Sequence, residues 1–125
     1  MFGRRNKRHY KRHKEVARAH VRARVTHWNS IYNFRIRKIF IKNHKSRWGS
    51  CSEKGNLNFN YKIIFLPQEI ADYIIVHELC HLKEFNHSGR FWSLVEQVVP
   101  NHKHLRVGLR QLERAYSQRS KLVSK

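Results

Sequence analysis

Eleven residues, His77-Glu78-Leu79-Cys80-His81-Leu82-Lys83-Glu84-Phe85-Asn86-His87, constrain this chain more than any other stretch. On an α-helix, positions four apart differ by about 40° of rotation and about 6 Å of rise, so His77 and His81 project the same way from successive turns. Two imidazoles so placed can grip one metal ion. Glu78 can lean over the open side of that ion and take a proton from water, the chemistry of a His-Glu-x-x-His pattern on a helix. A third ligand is needed. His87 would lie about 15 Å beyond His77 on an unbroken helix, so the helix has to end first. Asn86 tolerates a left-handed turn and Ser88 can cap a following helix, and a reversal there swings His87 back. Glu84 shares the face of His77 and His81 and competes for the role. Three groups strung along about 10 Å of straight helix do not converge on a tetrahedral ion, which makes His87 the expected ligand.

The surroundings of the motif agree with a bound ion. Ile70, Ala71, Tyr73, Ile74, Ile75, Val76, Leu79, Cys80 and Leu82 make the helix apolar on every side, as in a buried central element. An unpaired Glu beside two His in such a place would cost several kcal/mol, and a zinc ion would satisfy all three together.

Charge is the second constraint. The 125 residues carry 27 Lys and Arg against 8 acidic residues, a formal net charge of +19. Self-repulsion on that scale favours association with a polyanion, and DNA or RNA is the expected company. With 40% hydrophobic and 28% charged residues the chain reads as one folded domain rather than a disordered segment. There is no apolar run long enough for a membrane span and no secretory h-region, so no membrane partner and a cytoplasmic location are expected. Cys51 and Cys80 lack Cys-x-x-Cys spacing, which argues against a zinc ribbon or a disulfide scaffold.

Residues 1–13 read as a flexible basic arm, residues 14–118 as the domain and residues 119–125 as a loose basic tail. From about His13 to Tyr32, Ala17, Val21, Val25, Trp28 and Tyr32 recur at helical spacing, with Arg18, Arg22 and Arg24 on other faces. Asn33 ends that helix. Phe34 to Lys42 favours a strand, with either a bulge or a late start between Ile36 and Ile39. Lys45 to Cys51 and Asn56 to Tyr61 read as a hairpin turned at Gly55, giving three antiparallel strands. Ser88 opens a helix with Phe91, Leu94, Val95 and Val98 inward, ending at Pro100, and a last helix carries Leu105, Leu109, Leu112 and Tyr116. Glu96, His102 and His104 are placed at the surface.

Ser46-Arg47-Trp48-Gly49-Ser50-Cys51-Ser52, Leu66-Pro67, the His77 to Leu82 motif, Asn86-His87-Ser88 and Phe91-Trp92 together resemble the YgjP-like zinc metallopeptidases, over about Lys14 to Leu112. That family is similar to the SprT-like and WLM proteases, which act around nucleic acid. The resemblance implies an α+β, zincin-like domain: an N-terminal helix, a three-stranded antiparallel sheet, the central helix and two C-terminal helices. It also implies His77, His81 and His87 as zinc ligands and Glu78 as catalytic base. The pattern argues against a metzincin, because Glu84 stands where its Gly would be and Met1 is the only methionine.

The expected activity is hydrolysis of a polypeptide by zinc-activated water with Glu78 as general base. Arg47 can stabilise an oxyanion or serve as a plain ion pair, and Asn58 and Asn60 can orient an extended peptide or form the solvated side of the sheet. Arg4, Arg5, Arg8, Lys11 and Arg12, with Arg106 and Arg110, are the expected nucleic-acid contacts. Two alternatives use the same residues differently. One is a zinc-dependent nucleoside triphosphate pyrophosphohydrolase. The other is a nucleic-acid-binding module whose structural zinc takes a fourth ligand from Cys51, His102 or His104.

Overall fold

The computed structural model describes residues 6–123, with side chains described to residue 117. The first helix, α1 (Lys7–Tyr32), starts where the Asn6 side chain accepts from the His9 amide at 3.1 Å and stops where Asn33 turns left-handed at φ 59°. It begins six residues before His13, so most of the expected arm is helical. Two contacts fix that first stretch: the Tyr10 hydroxyl donates to the Ile41 carbonyl at 3.1 Å, and His9 Nδ1 meets the Tyr61 hydroxyl at 2.8 Å. Arg4 and Arg5 lie outside the described residues. Ala17, Val21 and Val25 form the buried stripe, with Tyr10, Trp28 and Tyr32 packed beside it. Each of the two valines, fully buried, contributes about 1.5–3 kcal/mol.

Three strands follow, β1 (Lys38–Lys42), β2 (Gly49–Cys51) and β3 (Asn56–Asn60), in the spatial order β1-β3-β2. The late start at Lys38 is the one observed. The β2–β3 hairpin is antiparallel and turns at Gly55, where φ is +90°. The pairing of β1 is not antiparallel. It runs parallel to β3, with Lys38 opposite Asn56 and Lys42 opposite Asn60. The chain between β1 and β2 crosses over so that β3 takes the centre, and Asn60 holds the crossing: its amide donates to the His44 and Arg47 carbonyls, each at 3.0 Å, and its oxygen accepts from the Lys62 amide. Asn60 is 0% exposed, so it is a structural clamp and not a substrate contact.

A 3-10 helix (Tyr61–Phe65) leads to α2 (Gln68–His81), which buries Ile70, Ala71, Tyr73 to Val76, Leu79 and Cys80 against the sheet and the other helices. Pro67 caps it from outside, one position earlier than the first turn. Asp72 accepts from Arg24 Nε at 3.0 Å and Nη2 at 2.7 Å, with Gln68 adding a third bond at 2.7 Å. Arg24 therefore points at α2 rather than outward. Next come α3 (Gly89–Glu96), capped by the Ser88 hydroxyl, and α4 (His102–Val123). No helix among the described residues is long and apolar enough to cross a membrane.

Candidate metal centre and catalytic cleft

The last turn of α2 carries His77 and His81, and the chain that follows reverses to bring His87 back. The reversal does not use a left-handed Asn86, since Asn33 is the one non-glycine residue with positive φ among those described. Instead the helix tightens: the Leu82 amide reaches the Leu79 carbonyl at 3.0 Å, and the Lys83 and Glu84 amides both reach the Cys80 carbonyl. The Glu84 carbonyl then accepts from His81 Nδ1 at 3.0 Å, which leaves the lone pair on His81 Nε2. Glu84 thus serves through its backbone, and its carboxylate is no part of the cluster.

The three Nε2 atoms converge. His77 and His81 are 3.2 Å apart, His81 and His87 3.0 Å, and His77 and His87 3.3 Å. A ring nitrogen holds either one proton or one lone pair along that direction, so three of them cannot all hydrogen-bond to one another. A shared cation resolves the conflict: nitrogens bound tetrahedrally at about 2.0–2.1 Å lie about 3.3 Å apart. The donor set is therefore right for zinc. Among the described residues, no other His, Cys, Asp or Glu joins the group. Burial, and then the neighbouring His81 and His87, takes His77 down to about 3, which keeps its imidazole neutral and able to donate a lone pair.

Aromatic rings brace the imidazoles. Phe91 stacks on His81 with centroids 4.4 Å apart, and Trp92 stacks on His87 at 5.9 Å. Trp92 in turn stacks on His102 at 4.9 Å, and His102 Nε2 meets Glu96 Oε1 at 3.0 Å. His102 is 4% exposed, not a surface residue. A period-3.6 reading missed it because the apolar ring it packs on belongs to the preceding helix.

Glu78, 7% exposed, lies beside the imidazoles under strand β2. Gly49 of that strand leaves it room: a Cβ there would come 3.0 Å from Glu78 Cγ, 3.3 Å from Oε2 and 3.1 Å from the Asn58 carbonyl. Burial pushes Glu78 up to about 8 against the pull of the Arg47 guanidinium. A dication at the imidazoles would lower it. The cleft above is about 280 Å³ and is lined by Arg47, Trp48, Gly49, Tyr73, Ile74, His77, Glu78, Arg106, Leu109, Arg110 and Glu113. Trp48 Nε1 donates to Glu113 at 2.9 Å and fastens β2 to α4. Asn58, on central strand β3 opposite Ser50, does not line it.

A model of the YgjP-like metallopeptidase domain matches residues 4–112. The chain belongs to the YgjP-like metallopeptidase family. Two solved structures share its fold. One is the metallopeptidase zymogen abylysin of Pyrococcus abyssi, 28% identical, with 71% of this chain and 90% of that one covered and a TM-score of 0.65. The other is the metallopeptidase zymogen jannalysin of Methanocaldococcus jannaschii, at 22% identity, 73% and 94% coverage and a TM-score of 0.63. Comparison with curated proteins gave no match. The YgjP-like domain is a metallopeptidase, hence a hydrolase that implies a catalytic metal, and among the described residues the three imidazoles are the group that could hold one.

The remaining expected residues are scattered. Arg106 and Arg110 face the cleft from α4, whereas Arg8, Lys11 and Arg12 are exposed on the first turns of α1. Cys51 is raised to about 11, first by burial, so it stays a thiol, and His102 is engaged with Glu96. Neither supplies a fourth ligand. Gly49, Tyr73 and Trp92 were not among the expected site residues, although Gly49 and Trp92 lie inside the stretches that carry the family resemblance.

Proposed function

We propose that this metallopeptidase cuts peptide bonds with zinc held by His77, His81 and His87 and with Glu78 as general base, and that its cationic surface keeps it on nucleic acid. The observation that carries the first part is the convergence of three Nε2 atoms beside a buried carboxylate, under a strand whose outer edge is open. Zinc held there would supply Lewis acidity and lower the pKa of water to about 7. An extended peptide adds to the free edge of β2, its backbone paired with the strand and its scissile bond above Glu78. Glu78 takes the proton of the attacking water on Oε2 and passes it to the leaving nitrogen. Arg47, at the cleft mouth, stabilises the oxyanion. The net charge of +19 supports the second part.

Zinc-loaded Glu78→Gln should keep its metal and lose turnover by about 10²–10⁴-fold. Undiminished peptide hydrolysis by that variant rejects the assignment. A second reading draws on Arg47, Arg106 and Arg110, three guanidiniums on one small cleft: the same water attacks phosphorus of a nucleoside triphosphate. Release of pyrophosphate without cleavage of any polypeptide selects it.

A further inference from the structure

A second concavity, about 640 Å³, lies between α1 and β1, lined by Arg18, Arg22 and Thr26 on the helix and by residues 36–41 on the other side. Arg18, Arg22 and Thr26 recur every four positions, so they form one column along the helix. Consecutive residues of both parities on the strand side mean that the groove follows the backbone edge of β1 rather than one face of the sheet. No second strand pairs with that edge among the described residues, where β1 pairs with β3 alone. Arg22, Arg37 and Lys38 are exposed and make no ion pair among the described residues, while Arg18 is bonded to Glu15 at 2.5 Å. None of the residues lining the groove is acidic. Phe40, 37% exposed, borders it at the strand edge, with Lys42 Nζ 5.0 Å from its ring centroid.

We infer that this groove binds single-stranded nucleic acid, an inference that rests on the nucleic-acid association proposed above and gives it a place. Phosphates lie on Arg22, Arg37 and Lys38, with Arg18 adding its remaining N–H groups, and a base stacks on Phe40 as Lys42 moves to a phosphate. A cationic channel with an aromatic platform is the arrangement that holds single strands without reading their sequence. An added peptide strand fits less well. Lys38 and Lys42 stand at the two ends of β1, the placement that blunts edge pairing, and the Ile41 carbonyl is already taken by Tyr10. Since β1 and β2 are opposite edges of the sheet, a bound strand leaves the catalytic cleft open. The enzyme is then tethered beside proteins that share the strand.

The test is binding of a labelled 15-nucleotide single strand, in DNA and RNA forms, across a salt series to the zinc-loaded full chain. Arg22→Ala/Arg37→Ala/Lys38→Ala should weaken binding on the order of 100-fold at 0.1 M salt and flatten the log–log salt slope by about 2. Phe40→Ala should cost about tenfold. The control Lys83→Ala/Lys103→Ala/Arg114→Ala removes equal charge elsewhere and should lose much less, with circular dichroism and zinc content showing that all variants are folded. If the groove and control variants weaken equally, the groove assignment is overturned while the association stands. If wild type does not bind, both fall. If polyglutamate competes charge for charge and Phe40→Ala changes nothing, the groove is a site for acidic polypeptide and the inference is wrong.

Discussion

Replacing Gly49 by alanine tests the catalytic geometry without substituting any of the three His or Glu78. The new methyl carbon would sit 3.0 Å from Glu78 Cγ, 3.1 Å from the Asn58 carbonyl and 3.3 Å from Glu78 Oε2, all inside ordinary contact distance. The Asn58 carbonyl belongs to the paired strand β3 and yields little, so the Glu78 side chain must turn or β2 must lift. Overpacking of this kind costs about 1–3 kcal/mol. Alanine recovers about 0.5–1 kcal/mol of strand propensity over glycine, which leaves a net loss of about 1 kcal/mol. In a domain of this size that lowers Tm by about 5 °C. The kinetic effect should be larger than the thermal one: displacing a catalytic group by a few tenths of an ångström toward 1 Å costs about 10- to 100-fold. The assay is steady-state peptide hydrolysis with zinc measured on the same samples. Turnover should fall while zinc content stays constant. A Gly49→Ala enzyme with kcat within twofold of wild type would refute the claim that β2 sets the position of Glu78.

Stripping the metal should expose a pH signature of two opposed groups. His77 is depressed to about 3 from 6.5, so the unfolded chain binds more protons than the folded one between those values, and stability falls as pH drops below about 6.5. Glu78 is raised to about 8 from 4.5, so its contribution falls as pH climbs through that window. For these two groups the chelated protein is most stable between about pH 4.5 and 6.5, and Glu78→Gln removes the decline above it; thermal melts from pH 4 to 9 decide. His102→Ala frees Trp92 from its stack and should weaken zinc retention about tenfold, read by chelator competition. Asp72→Ala strands Arg24, whose side chain is 29% exposed, and should cost about 2–3 kcal/mol in urea melts with zinc affinity unchanged.

The ligand spacing was legible because a helix imposes a fixed rotation per residue, and His87 followed from the need for convergence. The Asn33 and Ser88 caps and the turn at Gly55 were legible for a similar local reason. What the chain did not announce depends on partners far along it. Alternation in β1 is the same whether the neighbour runs parallel or antiparallel, so nothing local marked β3 as central. Asn60 looks like its neighbour Asn58 until the crossover wraps it, and Arg24 looks like Arg22 until Asp72 is brought beside it. The early start of α1 was masked by its basic composition, since those turns are held by a few residues among many cations: Tyr10 and His9, with His13 edge-on to Phe65.

The carbonyl at position 84 orients His81, and this has an effect on how the centre tolerates mutation. A main-chain acceptor is supplied by every amino acid, so an alanine scan from Leu82 to Asn86 will pass over the contact and give the segment a spurious look of permissiveness. Adding or removing one residue there, by contrast, should rotate the acceptor away and release the ion.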